Sequence, residues 1–132
     1  MEKDTSSSSY KSATVILNPG SGRSQGDAVI AALKEIEAGS GLTHTVIRIA
    51  AKKNIVKQCE TVVFEARQKN QPVIAAGGDG TVNLVAALCR KYQITMGIIP
   101  LGTFNYFARD LGISSNPIDA VKMLTTHQIR KV

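Results

Sequence analysis

Three runs in this chain are apolar on both sides of any extended backbone: Ala13-Thr14-Val15-Ile16-Leu17, Val73-Ile74-Ala75-Ala76 and Thr95 to Ile99. A strand with one wet face alternates polar and apolar residues, so runs without that alternation predict strands covered above and below. Each run stops at a backbone breaker: Asn18-Pro19-Gly20, Gly77-Gly78-Asp79-Gly80 and Pro100. Thr45 to Ile49 predicts a further strand. Between the strands the apolar period changes to that of a helix. Val29, Ile30, Leu33 and Ile36 fall on one face of a helix from about Asp27 to a stop at Gly39. Ile55, Val56, Cys59, Val62, Val63 and Ala66 mark a long amphipathic helix, and Val82, Val85, Ala86 and Cys89 another. Asn116-Pro117 predicts an N-cap with proline at the first helical position, opening a short helix to about Thr125. Gln128 to Val132 reads as the start of another strand. The pattern predicts an α/β fold: three layers, doubly wound, around a mostly parallel sheet.

The 132 residues, 43% of them hydrophobic, suffice for one core and one domain. Residues 1–11, with four consecutive serines, are expected to be a disordered N-terminal segment, and 12–132 the domain. No apolar run reaches the ~20 residues of a membrane span, and the start lacks a signal-peptide pattern. Cys59 and Cys89 sit at helical positions with a spacing that fits no metal motif, which predicts buried thiols in a reducing compartment. Sixteen Lys and Arg against ten Asp and Glu give a formal charge of +6, suited to a phosphate-bearing partner. Nucleic acid is not expected to be that partner. The basic residues are scattered and aromatics, at 5%, are not interleaved with them.

The segment Gly77-Gly78-Asp79-Gly80-Thr81 carries the chemistry. Glycines without Cβ atoms let backbone approach a bulky anion, and the helix that follows directs its unbonded N–H groups at the same place. Thr81 can cap that helix or donate its hydroxyl to a phosphate oxygen. Asp79 would repel a phosphate, so its presence implies a divalent cation between the two, or a role on a proton. In a doubly wound sheet, ligands bind beyond the carboxyl ends of the strands. There the loop after the first strand offers Asn18, Gly20, Ser21 and Gly22. The loop after the fourth offers Gly102, Thr103 and Asn105, with Arg109 one turn further on. Asn105 also suits the N-cap of a short helix ended by Gly112, and Arg109 a surface pair with Asp110 or Asp27. Gly20 to Gly26 does not match the dinucleotide fingerprint, and no P-loop lysine is present. His44 and His127 are isolated at strand edges and expected to be structural or exposed.

Together the three loops resemble, in order and spacing, the catalytic domain of the diacylglycerol kinase family, whose relatives include bacterial lipid kinases, sphingosine kinases and ceramide kinases. The resemblance rests on Asn18 to Gly22, on Gly77 to Asn83 and on Pro100-Leu101-Gly102-Thr103-Phe104-Asn105-Tyr106-Phe107-Ala108-Arg109, and runs from about Ser12 to Val132. The glycine-aspartate motif is shared with NAD kinases and phosphofructokinases; the third motif is specific to the lipid-kinase branch. The resemblance implies ATP as phosphoryl donor, Mg²⁺, and a lipid hydroxyl such as that of diacylglycerol as acceptor. By the family's pattern Asn18, Gly20, Ser21 and Gly22 contact the nucleotide. Gly77, Gly78, Gly80, Thr81 and Asn83 hold its phosphates, and Gly102, Thr103, Asn105 and Arg109 close the site. Asp79 would serve as the metal ligand or act on the acceptor hydroxyl.

Three departures stand out. This chain has Leu84 and Tyr106 where the family often has Glu and Asp, and Ile49-Ala50-Ala51-Lys52-Lys53 where many bacterial members carry a threonine and later a glycine. Family members continue into a second, β-rich domain, so the resemblance implies an N-terminal domain of a cytoplasmic enzyme peripheral to the membrane, with a homodimer left open. Two other functions fit the same loops: a non-catalytic nucleotide-binding module and a NAD kinase relative.

Overall fold

The computed structural model describes residues 10–19, 23–49, 54–126 and 128–131. Residues 1–9, 20–22, 50–53, 127 and 132 lie outside them, and with them the expectations for the N-terminal tail, for Gly20, Ser21 and Gly22, and for His127. The chain runs β1 (Ser12–Leu17), α1 (Arg23–Ser40), β2 (Thr43–Arg48), α2 (Ile55–Gln68), β3 (Val73–Gly77), α3 (Asp79–Tyr92), β4 (Met96–Pro100), α4 (Tyr106–Asp110) and α5 (Pro117–Met123). The four strands form one sheet in the order β2-β1-β3-β4, all parallel.

The layers follow from chain direction. From β1 the chain steps one way to β2, then crosses back over β1 to β3 and on to β4. Right-handed crossovers put a helix on one face for a step in one direction and on the other face for the return. Accordingly α1 packs on one face, joined by α5, while α2 and α3 cover the other. Along β1 the side chains alternate as the pleat demands. Ala13, Val15 and Leu17 join Val29 and Leu33 of α1, and Ile16 joins Cys59 and Val63 of α2. β1, β3 and β4 are buried almost throughout, as their composition predicts, whereas β2 at the sheet's edge has three exposed and three half-buried residues.

Several local expectations are corrected. α1 begins at Arg23 rather than near Asp27, and it runs past Gly39 to Ser40. The left-handed turn that ends it is made by Gly41, at φ 77°. Asn116 does cap α5, accepting from the backbone N–H of Ile118 and Asp119. The end of the chain forms no strand among the described residues; it makes one antiparallel bridge, Arg130 to Met96. Beside it the buried Gln128 side chain accepts from the Ile98 N–H and donates to the Ala120 carbonyl, taking the place of a neighbouring strand.

His44 is not isolated. Its side chain is fully buried between the Tyr10 hydroxyl, at 2.6 Å, and the Glu37 carboxylate, at 2.9 Å. A carboxylate only accepts hydrogen bonds, so Nδ1 carries a proton toward Glu37, and in the neutral tautomer Nε2 accepts from Tyr10. This cluster ties the first described residue of the chain to α1 and β2.

Candidate phosphate-binding site

α1 and α3 leave the sheet on opposite faces, so the loops after the adjacent strands β1 and β3 diverge. That is the switch point at which a doubly wound sheet opens a crevice. Gly77-Gly78-Asp79-Gly80-Thr81 and Asn18 lie on either side of it.

The loops are tied to each other by backbone. The Asn18 N–H donates to the Ala76 carbonyl at 2.8 Å, and the Leu101 N–H to the Gly77 carbonyl at 2.9 Å. The Asn18 side-chain amide donates to the Thr81 hydroxyl oxygen at 2.9 Å, which leaves the hydroxyl proton for another acceptor. Two glycines are required by close approach. A Cβ at Gly77 would stand 3.0 Å from Thr81 Cβ, and one at Gly102 would stand 2.9 Å from the Gly78 Cα. A Cβ at Gly80, in contrast, would meet nothing within 4 Å among the described residues.

α3 has no side-chain cap; Gly78 occupies its N-cap position, and the first helical bond runs from the Val82 N–H to the Gly78 carbonyl. The N–H groups of Asp79, Gly80 and Thr81 therefore lack acceptors in the helix, at the end where its dipole is positive. Asp79 is half-buried in that first turn and pairs with no described residue.

Asn105 departs from its expected role. It precedes α4 in the left-handed region, at φ 56°, and does not cap the helix. Its buried side chain turns back instead, accepting from the Gly102 N–H at 3.0 Å and donating to the Gly102 carbonyl at 2.9 Å. It clamps the loop that holds Gly102 against Gly78. Sequence reasoning missed this clamp and the Leu101 tie, although a buried-type polar residue three positions after a glycine is a signal for such a loop bond. Arg109 is exposed on α4, and Asp27 pairs with Arg48 rather than with it. Thr103 and Asn83 are exposed on the same rim, outside the bonded network. Leu84 packs half-buried against the α2–α3 core and Tyr106 is exposed, so neither position supplies a carboxylate.

The donor set fits the phosphates of a nucleotide: backbone N–H groups, a threonine hydroxyl and, at Gly80, backbone with no side chain in the way. For Mg²⁺ it offers one carboxylate, which suits an ion held largely by phosphate oxygens and water. No group of three His, Cys, Asp or Glu able to hold a metal occurs among the described residues. Cys59 and Cys89 are buried free thiols, and burial raises both pKa values, that of Cys89 to about 12.

A four-stranded parallel α/β sheet with a glycine-rich loop at its switch point defines the class: a doubly wound α/β domain. The comparisons then settle the family. Residues 12–132 match the diacylglycerol kinase catalytic domain model, and the chain belongs to that family. An uncharacterised protein of Synechocystis is 33% identical over 78% of this chain and 25% of its own length. A Klebsiella pneumoniae protein named "Probable lipid kinase YegS-like" is 47% identical over 46% of this chain and 22% of its own. The solved structure named "A putative diacylglycerol kinase from Bacillus anthracis str. Sterne" is 27% identical, with a TM-score of 0.69 over 93% of this chain and 40% of that one. The chain thus spans between a fifth and two fifths of the length of these relatives. No helix among its described residues is long and apolar enough to cross a membrane.

Proposed function

We propose that this chain is the nucleotide-binding domain of an ATP-dependent lipid kinase that transfers the γ-phosphoryl group to a lipid hydroxyl such as that of diacylglycerol. The observation that carries the reading is the start of α3 at Gly78 without a side-chain cap, beside Gly80 and Asp79, which have respectively no close neighbour and no ion-pair partner among the described residues. Phosphoryl transfer asks a protein mainly for positioning and charge stabilisation. The N–H groups of the first turn and the Thr81 hydroxyl would hold the phosphates. Asp79 would bind Mg²⁺, which supplies neutralising charge, or receive the acceptor's proton. One carboxylate does not do both. The second group would come from the remainder of a full-length protein such as the relatives have, so these 132 residues alone are expected to bind Mg-ATP weakly and not turn over.

The same lone carboxylate is the observation behind a second reading, a non-catalytic nucleotide-binding module. One experiment separates them. In the full-length protein, Asp79→Asn preserves shape and most hydrogen bonding while removing the charge, and the rate of lipid phosphorylation is expected to fall by at least ~10²-fold. In parallel, calorimetry on the 132-residue chain is expected to show Mg-ATP binding lost in Gly80→Asp, whose new carboxylate would face the phosphates. Wild-type binding by Gly80→Asp would place the phosphate elsewhere. Binding without any turnover by the full-length protein on lipid acceptors or on NAD would favour the non-catalytic module, and turnover on NAD a NAD kinase.

A further inference from the structure

Phe104 and Tyr106 are large apolar side chains left in water, with 58% and 61% of their surface exposed. Their rings are stacked, with centroids 5.3 Å apart and planes within 2° of parallel. They flank Asn105, which is 4% exposed and bonded at both ends of its amide to Gly102. The pair therefore stands on a loop clamped in place. The other two exposed large apolar residues among the described residues lie elsewhere, Val56 and Phe64 on α2, and Phe64 makes a T-shaped contact with Tyr92.

We propose that Phe104 and Tyr106 seat the rim of the domain on an anionic bilayer, their rings entering the interfacial layer beside the phosphate site. Aromatic rings with one wet edge are at home at headgroup depth, and a tyrosine hydroxyl keeps a partner there. Arg109 follows Tyr106 by three residues on α4, which puts an exposed guanidinium on the same helical face, near lipid phosphates. The formal charge of +6 draws the whole chain toward anionic lipid. Two rings are far too little surface for a stable protein interface, whereas interfacial binding needs only a small apolar area added to electrostatic attraction. The inference rests on the lipid-kinase reading for its direction of approach: a water-insoluble acceptor must reach the switch point over this rim.

The chain contains no tryptophan, so Phe104→Trp places a single reporter on the pair. With vesicles of phosphatidylcholine and phosphatidylglycerol, its emission is expected to shift to the blue and to be quenched by brominated acyl chains. The double variant Phe104→Ser/Tyr106→Ser is expected to lose at least ~10-fold in affinity for those vesicles, with an unchanged thermal melt as the check on folding. Wild-type vesicle binding by the double variant, or a reporter that brominated lipid does not quench, overturns the proposal. So does a reporter that responds to ATP without vesicles and not to vesicles, which would make the pair a shelf for the purine base. The full-length protein separates the two readings. Vesicle binding through the pair with no phosphorylation of any lipid supports the proposal and overturns the kinase. Phosphorylation of soluble short-chain acceptors with no insertion of the reporter does the reverse.

Discussion

The two ends of the sheet hold opposite arrangements of charge and backbone. At the amino ends of the strands lies a cavity of about 610 Å³, bordered by Lys11, Arg67, Lys69, Asn70 and Gln93. It is large and basic, as a phosphate site is expected to be. Yet α2 and α3 end there, so the cations face the negative ends of helix dipoles. The backbone donors at those ends are used up: the Lys69, Asn70 and Gln93 N–H groups all donate into their own helices, with Asn70 and Gln93 in left-handed turns. At the carboxyl ends α3 starts without a side-chain cap from its N-cap residue Gly78, beside Gly80, which has open space among the described residues. A basic cavity marks one end, and backbone donors without helical acceptors mark the other. For an anion held at close range the donors decide, because they are fixed in direction and need no side chain ordered to reach it.

The largest expected effect breaks the carboxyl end. In Gly102→Val the new Cβ would fall 2.9 Å from the Gly78 Cα, and neither loop can retreat, because the Leu101 N–H and Asn105 hold them. Displacing that contact by even an ångström is expected to weaken Mg-ATP binding by ~10²-fold, with a stability loss of about 1–3 kcal/mol. Calorimetry and a thermal melt measure the two; a melt shifted with unchanged binding would remove Gly102 from the site.

An intermediate effect is expected at the amino half, through Cys89. Burial pushes its thiol from an ordinary value of 9.0 to about 12. The folded state keeps the proton where the unfolded chain has lost it, so this stability is fully present below about pH 9 and is lost as pH rises toward 12. Denaturant titrations between those limits should show a steeper alkaline decline in wild type than in Cys89→Ala, by at most about 1.4 kcal/mol per pH unit. Parallel slopes would mean that the thiol titrates normally. The smallest effect sharpens the comparison most. Replacing Lys11, Arg67 and Lys69 by glutamine is expected to change Mg-ATP affinity by less than twofold at physiological salt, since these charges lie across the sheet from the phosphates and are screened. A tenfold loss would transfer the site to the large cavity.

Much of this was legible in the residues. The unbroken apolar runs at Val15, Ile74 and Ile98 require cover on both faces, and that requirement leads directly to the doubly wound sheet. The glycine-aspartate loop was legible as a strand-to-helix turn, with Gly78 at the N-cap position and Gly77 too close to Thr81 for a side chain. What stayed hidden depends on contacts between distant segments. Nothing local distinguishes Asn105 as a clamp from Asn105 as a cap, since both put an amide at the start of a short helix; only the bonds to Gly102 decide. His44 looked isolated because Tyr10 and Glu37 reach it from other elements. The start of α1 is hidden because Arg23-Ser24-Gln25-Gly26 contain no apolar residue to mark a helical face, and a single glycine inside a helix costs only about 1 kcal/mol.

The use of the Gln128 amide in place of a strand beside Ile98 has a kinetic consequence. A strand releases an amide proton to solvent only when the sheet opens, whereas a side chain releases it by changing rotamer. Ile98 should therefore exchange its amide hydrogen faster than Ile74 in the middle of the sheet, although both side chains are buried to the same degree. The margin of β4 breathes on the schedule of one glutamine, and the interior of the sheet on the schedule of the whole fold.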